Sequence, residues 1–179
     1  MSLSLFIALE GGDYSGKKEQ SKRLHNYFLD RSEDNIVITL HQPTHFAKEI
    51  KRKLAEDKDA YADAEKMAEL YVEDREYISK KLIVPALKMG SIVISNRHKM
   101  STCNYQRIQG MDLERLLKMH HEVGIPSPDI NLVLDISDEE AERRMNNLSH
   151  LPDKFEMHRE FREKVYTGYR ELAAMAKND

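Results

Sequence analysis

The chain has 179 residues, of which 40% are hydrophobic and 33% are charged, so its length fits one domain with a substantial core. Its formal net charge of −3 gives no global attraction to nucleic acid or to an anionic membrane, so any anion must be bound by local groups. A single cysteine excludes an internal disulfide, and no apolar run approaches the roughly 20 residues of a membrane span, so we expect one cytoplasmic domain over residues 1–179.

Strand-like and helix-like stretches alternate along the chain. Short apolar runs predict buried strands at residues 5–9, 36–40, 92–95 and 130–136. Charged stretches with apolar residues at helical spacing predict helices at residues 16–30, 45–56, 62–89, 111–123, 138–145 and 155–176. Pro85 should kink or divide the long third helix, and Ser137 is placed to cap the fifth. Apolar strands separated by helices are typical of a parallel sheet covered on both faces, so the sequence predicts an α/β fold.

The turn after the first strand has the spacing of a phosphate-binding loop. Gly11, Gly16 and Lys17 match the pattern G-x-x-x-x-G-K between a predicted strand and a predicted helix. Such a loop exposes backbone N–H groups that form an anion-binding cup with the helix N-terminus, and its lysine reaches the β- and γ-phosphates. The predicted nucleotide-binding residues are Gly11, Gly12, Asp13, Tyr14, Ser15, Gly16, Lys17 and Lys18.

Lys18 departs from this pattern. Loops of this kind carry Ser or Thr at that position, and the hydroxyl is a ligand for magnesium. An ammonium group cannot coordinate a cation and would repel it. Three outcomes stay open: Lys18 points outward and magnesium is held by water and phosphate, its charge replaces the metal, or the loop binds nucleotide without catalysis.

Short motifs in order over nearly the whole chain resemble the thymidylate kinase family, P-loop enzymes that move phosphate from ATP to dTMP. The loop "EGGDYSGKKEQ" is similar to the family's E-G-x-D-x-S-G-K-[ST]-T-Q. The segment "SNRHKMSTCNYQ" resembles C-D-R-Y-x-x-S-x-x-A-Y-Q, and "ELYVEDR" resembles L-L-F-x-A-D-R. The resemblance implies a three-layer α/β/α fold of the P-loop NTP hydrolase type. The chain stops before the family's usual C-terminal strand and helix, so a smaller sheet is expected.

The resemblance also implies a role for each matching residue. Lys17 and Arg97 would be catalytic, with Lys17 on the β/γ-phosphates of ATP and Arg97 on the acceptor phosphate. Arg143 of "AERRM" would stack near adenine. The implied dTMP-binding residues are Asp13, Tyr71, Arg75, Arg97, Ser101, Tyr105 and Gln106. For Tyr71, thymine stacking is preferred over plain packing on a helix face.

Several positions differ from the family in ways that bear on catalysis. Asn96 replaces an aspartate that helps to order magnesium, and His41 replaces an arginine that helps to hold the acceptor phosphate. Family members place a catalytic arginine in the phosphate loop or in the lid. Here Tyr14 has the loop position, and the lid, at about residues 146–154, contains none. The remaining cations are Lys17, Lys18, Arg97, Lys154 and Arg143, although Lys154 also fits a solvated surface charge.

Three functions therefore stay open at this point. The preferred one is a dTMP kinase that uses ATP as donor, with magnesium possible although its usual protein ligands are replaced. The second is a nucleotide-binding relative with impaired catalysis, and the third is a deoxynucleoside kinase. The resemblance also implies a homodimer, for which the stretch at residues 62–89 could supply a face.

Overall fold

The computed structural model describes residues 4–31, 35–147 and 153–176. The strands are β1 (Leu5–Glu10), β2 (Val37–His41), β3 (Ile92–Asn96) and β4 (Ile130–Val133). The helices of the first half are α1 (Lys17–Leu29), α2 (Ala47–Glu56), α3 (Ala64–Ile78) and α4 (Val84–Lys88), with a π-helical turn at Ser79–Ile83 between the last two. Those of the second half are α5 (Lys99–Ile108), α6 (Leu113–Glu122), α7 (Asp138–Met145), α8 (Lys154–Met157) and α9 (Arg159–Met175).

The four strands of the described residues form one parallel sheet in the order β2-β3-β1-β4. Alternate side chains of each strand point to opposite faces of this sheet. On one face, Ile7 and Ile94 pack with Leu24 of α1. On the other, Phe6 and Val93 pack with the π-helical turn and α4. Helices thus cover both faces, which confirms the predicted three-layer α/β/α fold.

The carboxyl ends of β1 and β3 lie side by side, because Leu9 is in register with Asn96. The turns that follow these strands carry the phosphate loop and Arg97. In open α/β sheets ligands bind at this edge, so the topology brings the two main sequence motifs together. None of the helices within the described ranges is long and apolar enough to cross a lipid bilayer.

The long helix predicted at residues 62–89 is divided. Pro85 has no N–H and its ring crowds the carbonyl group one turn earlier, which an uninterrupted α-helix cannot accommodate. The chain widens into the π-helical turn just before it, where Val84 N donates to Ser79 O, five residues back. The predicted break is confirmed, and it takes the form of a bulge.

Other predicted boundaries were wrong. Helix α5 was not predicted, although it begins two residues after Arg97. The last predicted helix is two helices, because His158 has an extended backbone between α8 and α9. Strand β4 ends at Val133 and is less buried than predicted, since Ile130 and Leu132 are 41% and 40% exposed at the edge of the sheet.

Candidate active site

The phosphate loop is packed so closely that only glycine fits at two of its positions. Gly11 has a φ of +135°, and a Cβ atom there would lie 2.5 Å from the carbonyl oxygen of Leu134. A Cβ atom on Gly12 would lie 2.2 Å from the Tyr166 ring. The backbone at these positions is therefore held between β4 and α9. At Gly16 a Cβ atom would have room, and the reason for glycine there is its φ of +90°.

Lys17 lies folded against its own loop. Its Nζ donates to the carbonyl oxygens of Gly11 and Gly12 at 3.0 and 2.6 Å, and to Ser15 Oγ at 3.3 Å. Burial, followed by the charge of Arg97, lowers the pKa of Lys17 to about 7. An anion bound in the cup would favour the charged ammonium that this environment disfavours.

Arg97 connects the loop to α5. Its Nη1 donates to Gly11 O at 3.2 Å and to Ser101 Oγ at 3.2 Å, and its Nη2 forms an ion pair with Asp13 and donates to Tyr105 Oη at 3.2 Å. The backbone of Arg97 has a φ of +68°, in the left-handed region that residues other than glycine rarely adopt. Such a conformation is typical of functional sites, where the surrounding structure enforces it.

Asp13 is the acidic partner of this network. Its carboxylate accepts from Tyr105 Oη at 2.8 Å in addition to its ion pair with Arg97. Burial alone would raise the pKa of Asp13, but the charges of Arg97 and Lys17 outweigh it, so the pKa is lowered. Asp13 is therefore a carboxylate at neutral pH, and it holds the guanidinium of Arg97 in place.

Two cavities meet at this network. The larger, of about 1030 Å³, contains the phosphate loop and the ends of β2 and β3, and we call it the donor cleft. The smaller, of about 190 Å³, lies between α2, α3 and α5, and we call it the acceptor pocket. Asp13, Gln42 and Arg97 line both cavities. Any ligand in one cavity thus approaches a ligand in the other at the Arg97 guanidinium.

The acceptor pocket contains the predicted dTMP-binding residues. Its wall includes Tyr71, Arg75, Ser101, Tyr105 and Gln106, together with Asp13 and Arg97. Arg75 Nη1 donates to Tyr71 O at 3.0 Å, and its guanidinium lies over the Tyr71 ring at 5.2 Å. Arg75 Nε, Thr102 Oγ1 and Gln106 Oε1 are buried in this region without a hydrogen-bond partner among the described residues. Such atoms destabilise a fold unless something bound satisfies them.

The two predicted cations near the lid lie outside both cavities. Arg143 forms an ion pair with Glu140 on the surface of α7, and its side chain is 65% exposed. Its neighbour Arg144 lines the donor cleft and donates to Tyr14 O at 2.8 Å. Lys154 is 1% exposed and donates to Asp57 Oδ2 and Ala62 O, both at 3.0 Å, so it joins α8 to the loop after α2. Of the predicted lid, residues 148–152 lie outside the described ranges.

Several side chains that support the site were missed in the sequence. Gln42 donates to Ser95 Oγ at 3.1 Å and contacts His98 Nδ1 at 3.0 Å, which fixes it between the cavities. From α9, Tyr166 Oη donates to Asp13 O at 2.6 Å, and Tyr169 contacts both Arg97 and Ser101. Their spacing of three residues places both tyrosines on one helix face, but no local pattern indicates which element that face meets.

The side chains around the loop do not fit a magnesium ion held by the protein. Lys18 offers an ammonium group, and Asn96 offers a neutral amide. The nearby carboxylates are already engaged: Asp13 by Arg97 and Tyr105, and Glu10 by His98 N at 2.8 Å and Ser101 Oγ. Magnesium prefers carboxylate and water oxygens, so this donor set lacks the charge to bind it directly.

Comparison with known proteins gives a consistent result. A family model for thymidylate kinase matches residues 9–179. The chain is 36% identical over 180 residues to a thymidylate kinase of Wolbachia pipientis subsp. Culex pipiens, covering 97% of this chain and 83% of that protein. It is 33% identical over 175 residues to a probable thymidylate kinase of Thermococcus onnurineus, covering 94% and 84%. The crystal structure of thymidylate kinase from Ehrlichia chaffeensis matches with a TM-score of 0.76 and 26% identity, covering 97% and 88% of the two chains.

Proposed function

The chain belongs to the thymidylate kinase family, and on that premise we propose that it transfers the γ-phosphate of ATP to dTMP, giving ADP and dTDP. One observation carries the proposal: Asp13, Gln42 and Arg97 form the shared wall of two cavities, one of which contains the phosphate loop. Phosphate transfer between two nucleotides requires them to meet end to end, and this arrangement provides the meeting point.

Each side chain of the network has a task in this reaction. The loop amides and Lys17 bind the β- and γ-phosphates of ATP, and Lys17 leaves the loop carbonyls to do so. Arg97 receives the phosphate of dTMP while Asp13 and Tyr105 fix its guanidinium and adjoin the sugar. Tyr71 contacts the thymine ring, and Arg75 and Gln106 meet its polar edge. ATP then passes its γ-phosphoryl group in line to an oxygen of the dTMP phosphate.

Positive charge around the transferred group accounts for most of the rate in reactions of this kind. Here Lys17 and Arg97 both donate to the carbonyl oxygen of Gly11, so their charges lie close together, and Arg144 adds a guanidinium from α7. Arg143 and Arg144 both pair with Glu140, but Arg144 also donates to the backbone carbonyl of Tyr14 in the loop. The sequence suggested Arg143 as the residue of α7 that acts near ATP. We instead propose that Arg144 supplies positive charge there.

The test is coupled ADP release by the purified chain with ATP and one acceptor at a time. We expect turnover with dTMP and none with thymidine, because thymidine has no phosphate to engage Arg97. Turnover with thymidine alone would indicate a deoxynucleoside kinase, and no turnover with any acceptor would indicate a binding protein.

Arg97→Lys tests the geometry of the site. It keeps the charge but removes the planar fork that contacts the loop, Asp13 and α5 at once, so kcat should fall by about a hundredfold. Arg107→Lys is the matched control, since Arg107 lies on α5 and pairs with Glu171 away from both cavities. Equal activity of the two variants would contradict the assignment of Arg97.

We also infer a homodimer, as is common in this family. The side of the molecule formed by α3 presents Tyr77, which is 39% exposed and stacks on His45 with ring centroids 3.9 Å apart. Light scattering coupled to size-exclusion chromatography would measure the mass in solution. A monomer at micromolar concentration would reject this inference.

We also propose that the protein is located in the cytoplasm. The chain has one cysteine, Cys103, which is buried, and burial raises the pKa of its thiol to about 11. An unreactive free thiol is compatible with a reducing compartment. Cell fractionation with an antibody to the chain would test the location, and recovery in the membrane fraction would contradict it.

A further inference from the structure

The lining of the donor cleft contains more cations than carboxylates. Its basic side chains among the described residues are Lys17, Lys18, Lys22, Arg97 and Arg144, accompanied by His25 and His41. Two carboxylates share the wall, Asp13 and Glu19. Each is already paired with an arginine, Asp13 with Arg97 and Glu19 with Arg23. Of the five cations of the wall, Arg97 is paired with a carboxylate of the same wall, and the five cations outnumber the two carboxylates, so the cleft carries a net positive charge.

Lys18 faces this cleft from the start of α1. Lys18, Lys22 and His25 are spaced four and three residues apart, so they lie on one face of the helix. At His25 this face meets the middle of β2, where His25 Nδ1 contacts Thr39 Oγ1 at 2.9 Å. Burial, and then the charge of Lys18, lowers the pKa of His41, which also lines the cleft. Lys18 is exposed to solvent, and it lines the same cavity as His41.

The opposite wall offers nothing to hold a cation beside Lys18. Asn96, at the end of β3, is neutral, and Glu10, at the end of β1, is buried with its oxygens bound to His98 N and Ser101 Oγ. Across the described ranges, no three His, Cys, Asp or Glu side chains come together as a metal-binding group. A divalent cation beside the loop would be repelled by Lys18 without a carboxylate to compensate.

We propose that Lys18 supplies the positive charge that a protein-bound magnesium ion supplies elsewhere in this fold, and that the donor cleft selects the metal-free form of the nucleoside triphosphate. The inference rests on the proposed function for the identity of the donor. Metal-free ATP carries two more negative charges than its magnesium complex. Lys18 and Lys22 line the cleft and would attract those extra charges. The cleft would therefore bind metal-free ATP more tightly than the magnesium complex, whereas a magnesium site has the opposite preference.

Equilibrium binding without dTMP separates this inference from catalysis. ATP is titrated by calorimetry into the full chain, once with excess magnesium and once with EDTA. We expect the native chain to bind ATP at least as tightly in EDTA as in magnesium. Lys18→Thr should weaken binding in EDTA by about tenfold, since it removes one charge-assisted contact to phosphate. Lys18→Thr combined with Asn96→Asp should make binding tighter in magnesium than in EDTA.

Lys118→Thr is the matched control. Lys118 is on α6 with its side chain 73% exposed and does not line the cleft, so its loss should leave both titrations unchanged. Tighter native binding in magnesium by about tenfold or more would overturn the inference, as would unchanged EDTA binding in Lys18→Thr. Because no acceptor is present, these titrations decide the role of Lys18 whether or not dTMP is phosphorylated.

Discussion

At the scale of single residues, the state of Lys17 shows how the site is held before ligands arrive. Its ammonium group is buried against loop carbonyls, and burial together with Arg97 brings its pKa to about 7 from an ordinary value of 10.5. A lowered pKa means that the folded chain holds this proton less tightly than the unfolded chain. Bound phosphate would raise the pKa of Lys17 again, because an anion stabilises the charged form of the amine.

ATP binding should therefore take up a proton at Lys17. At pH 8 most of the free protein has a neutral Lys17, so binding should consume about one proton, and at pH 6 almost none. Calorimetry in buffers of different ionisation enthalpy measures this number directly. In Lys17→Arg the guanidinium is always charged, so the uptake at pH 8 should disappear. Uptake that is the same in the variant would assign the proton to another group.

Asp153 provides a second case in which burial sets a protonation state. Burial, the charge of Asp13 and the charge of Glu156 together raise its pKa to about 6. Its carboxyl group still caps α8 by accepting from Phe155 N and Glu156 N at 2.9 and 3.0 Å. Asparagine caps helices as well as aspartate does, so the charge can be removed while the cap is kept.

The stability contributed by Asp153 should depend on pH in a defined direction. Its folded pKa lies above its ordinary value of 3.8, so the folded chain binds the proton more tightly and loses stability as the pH rises from about 4 to 6. Asp153→Asn should therefore gain up to about 2 kcal/mol relative to the native chain between these pH values. Urea unfolding at both pH values tests this, and a constant difference between the two proteins would contradict it.

At the scale of elements, the connection between β2 and α2 depends on a buried carboxylate of α3. Asp74 accepts from Thr44 N at 2.9 and 2.8 Å and from Phe46 N at 2.9 Å. This connection also carries Gln42 and Pro43, which line the acceptor pocket. Helix α3 thus supports the pocket twice, through Tyr71 and Arg75 in its wall and through Asp74 behind it.

Asp74→Asn should destabilise the chain and loosen this connection. The variant replaces one acceptor oxygen with an NH₂ group that faces backbone N–H donors, so the free energy of unfolding should fall by about 1–3 kcal/mol. The KM for dTMP should rise while the KM for ATP changes little. Glu73→Gln is the control, because the same chemical change occurs on the exposed side of α3. Equal effects of the two variants would show that Asp74 has no special role.

The elements also show where sequence patterns succeed and where they do not. Strands β1 and β3 were predictable because both are continuous apolar runs buried on both faces. Helix α5 was not predictable, because its buried face includes polar residues such as Asn104 and Gln106. Its sequence therefore lacks the apolar periodicity by which helices are identified. Similarly, the burial of Lys154 depends on Asp57, nearly a hundred residues away, and no local pattern contains that contact.

At the scale of the whole molecule, motifs distant in sequence form one site because parallel strands end at one edge. Adjacent β1 and β3 bring Gly11 and Arg97 within hydrogen-bond distance, as the motifs implied. The tyrosines of α9 complete the site from a position that only the packed fold determines. A single domain over residues 1–179 stays a prediction, and a single cooperative unfolding transition would support it.

The two cavities predict a property that neither has alone. A molecule with adenosine and thymidine joined by five phosphates would occupy the donor cleft and the acceptor pocket at once, past Asp13, Gln42 and Arg97. Because the second half then binds at a high effective concentration, we expect its affinity to exceed that of ATP by about a hundredfold or more. Adenosine pentaphosphate is the control, since it matches the phosphate chain but has no group for the acceptor pocket. If the two compounds bind equally well, the cavities do not form one continuous site, and transfer between nucleotides bound in them would be ruled out together with the proposed reaction.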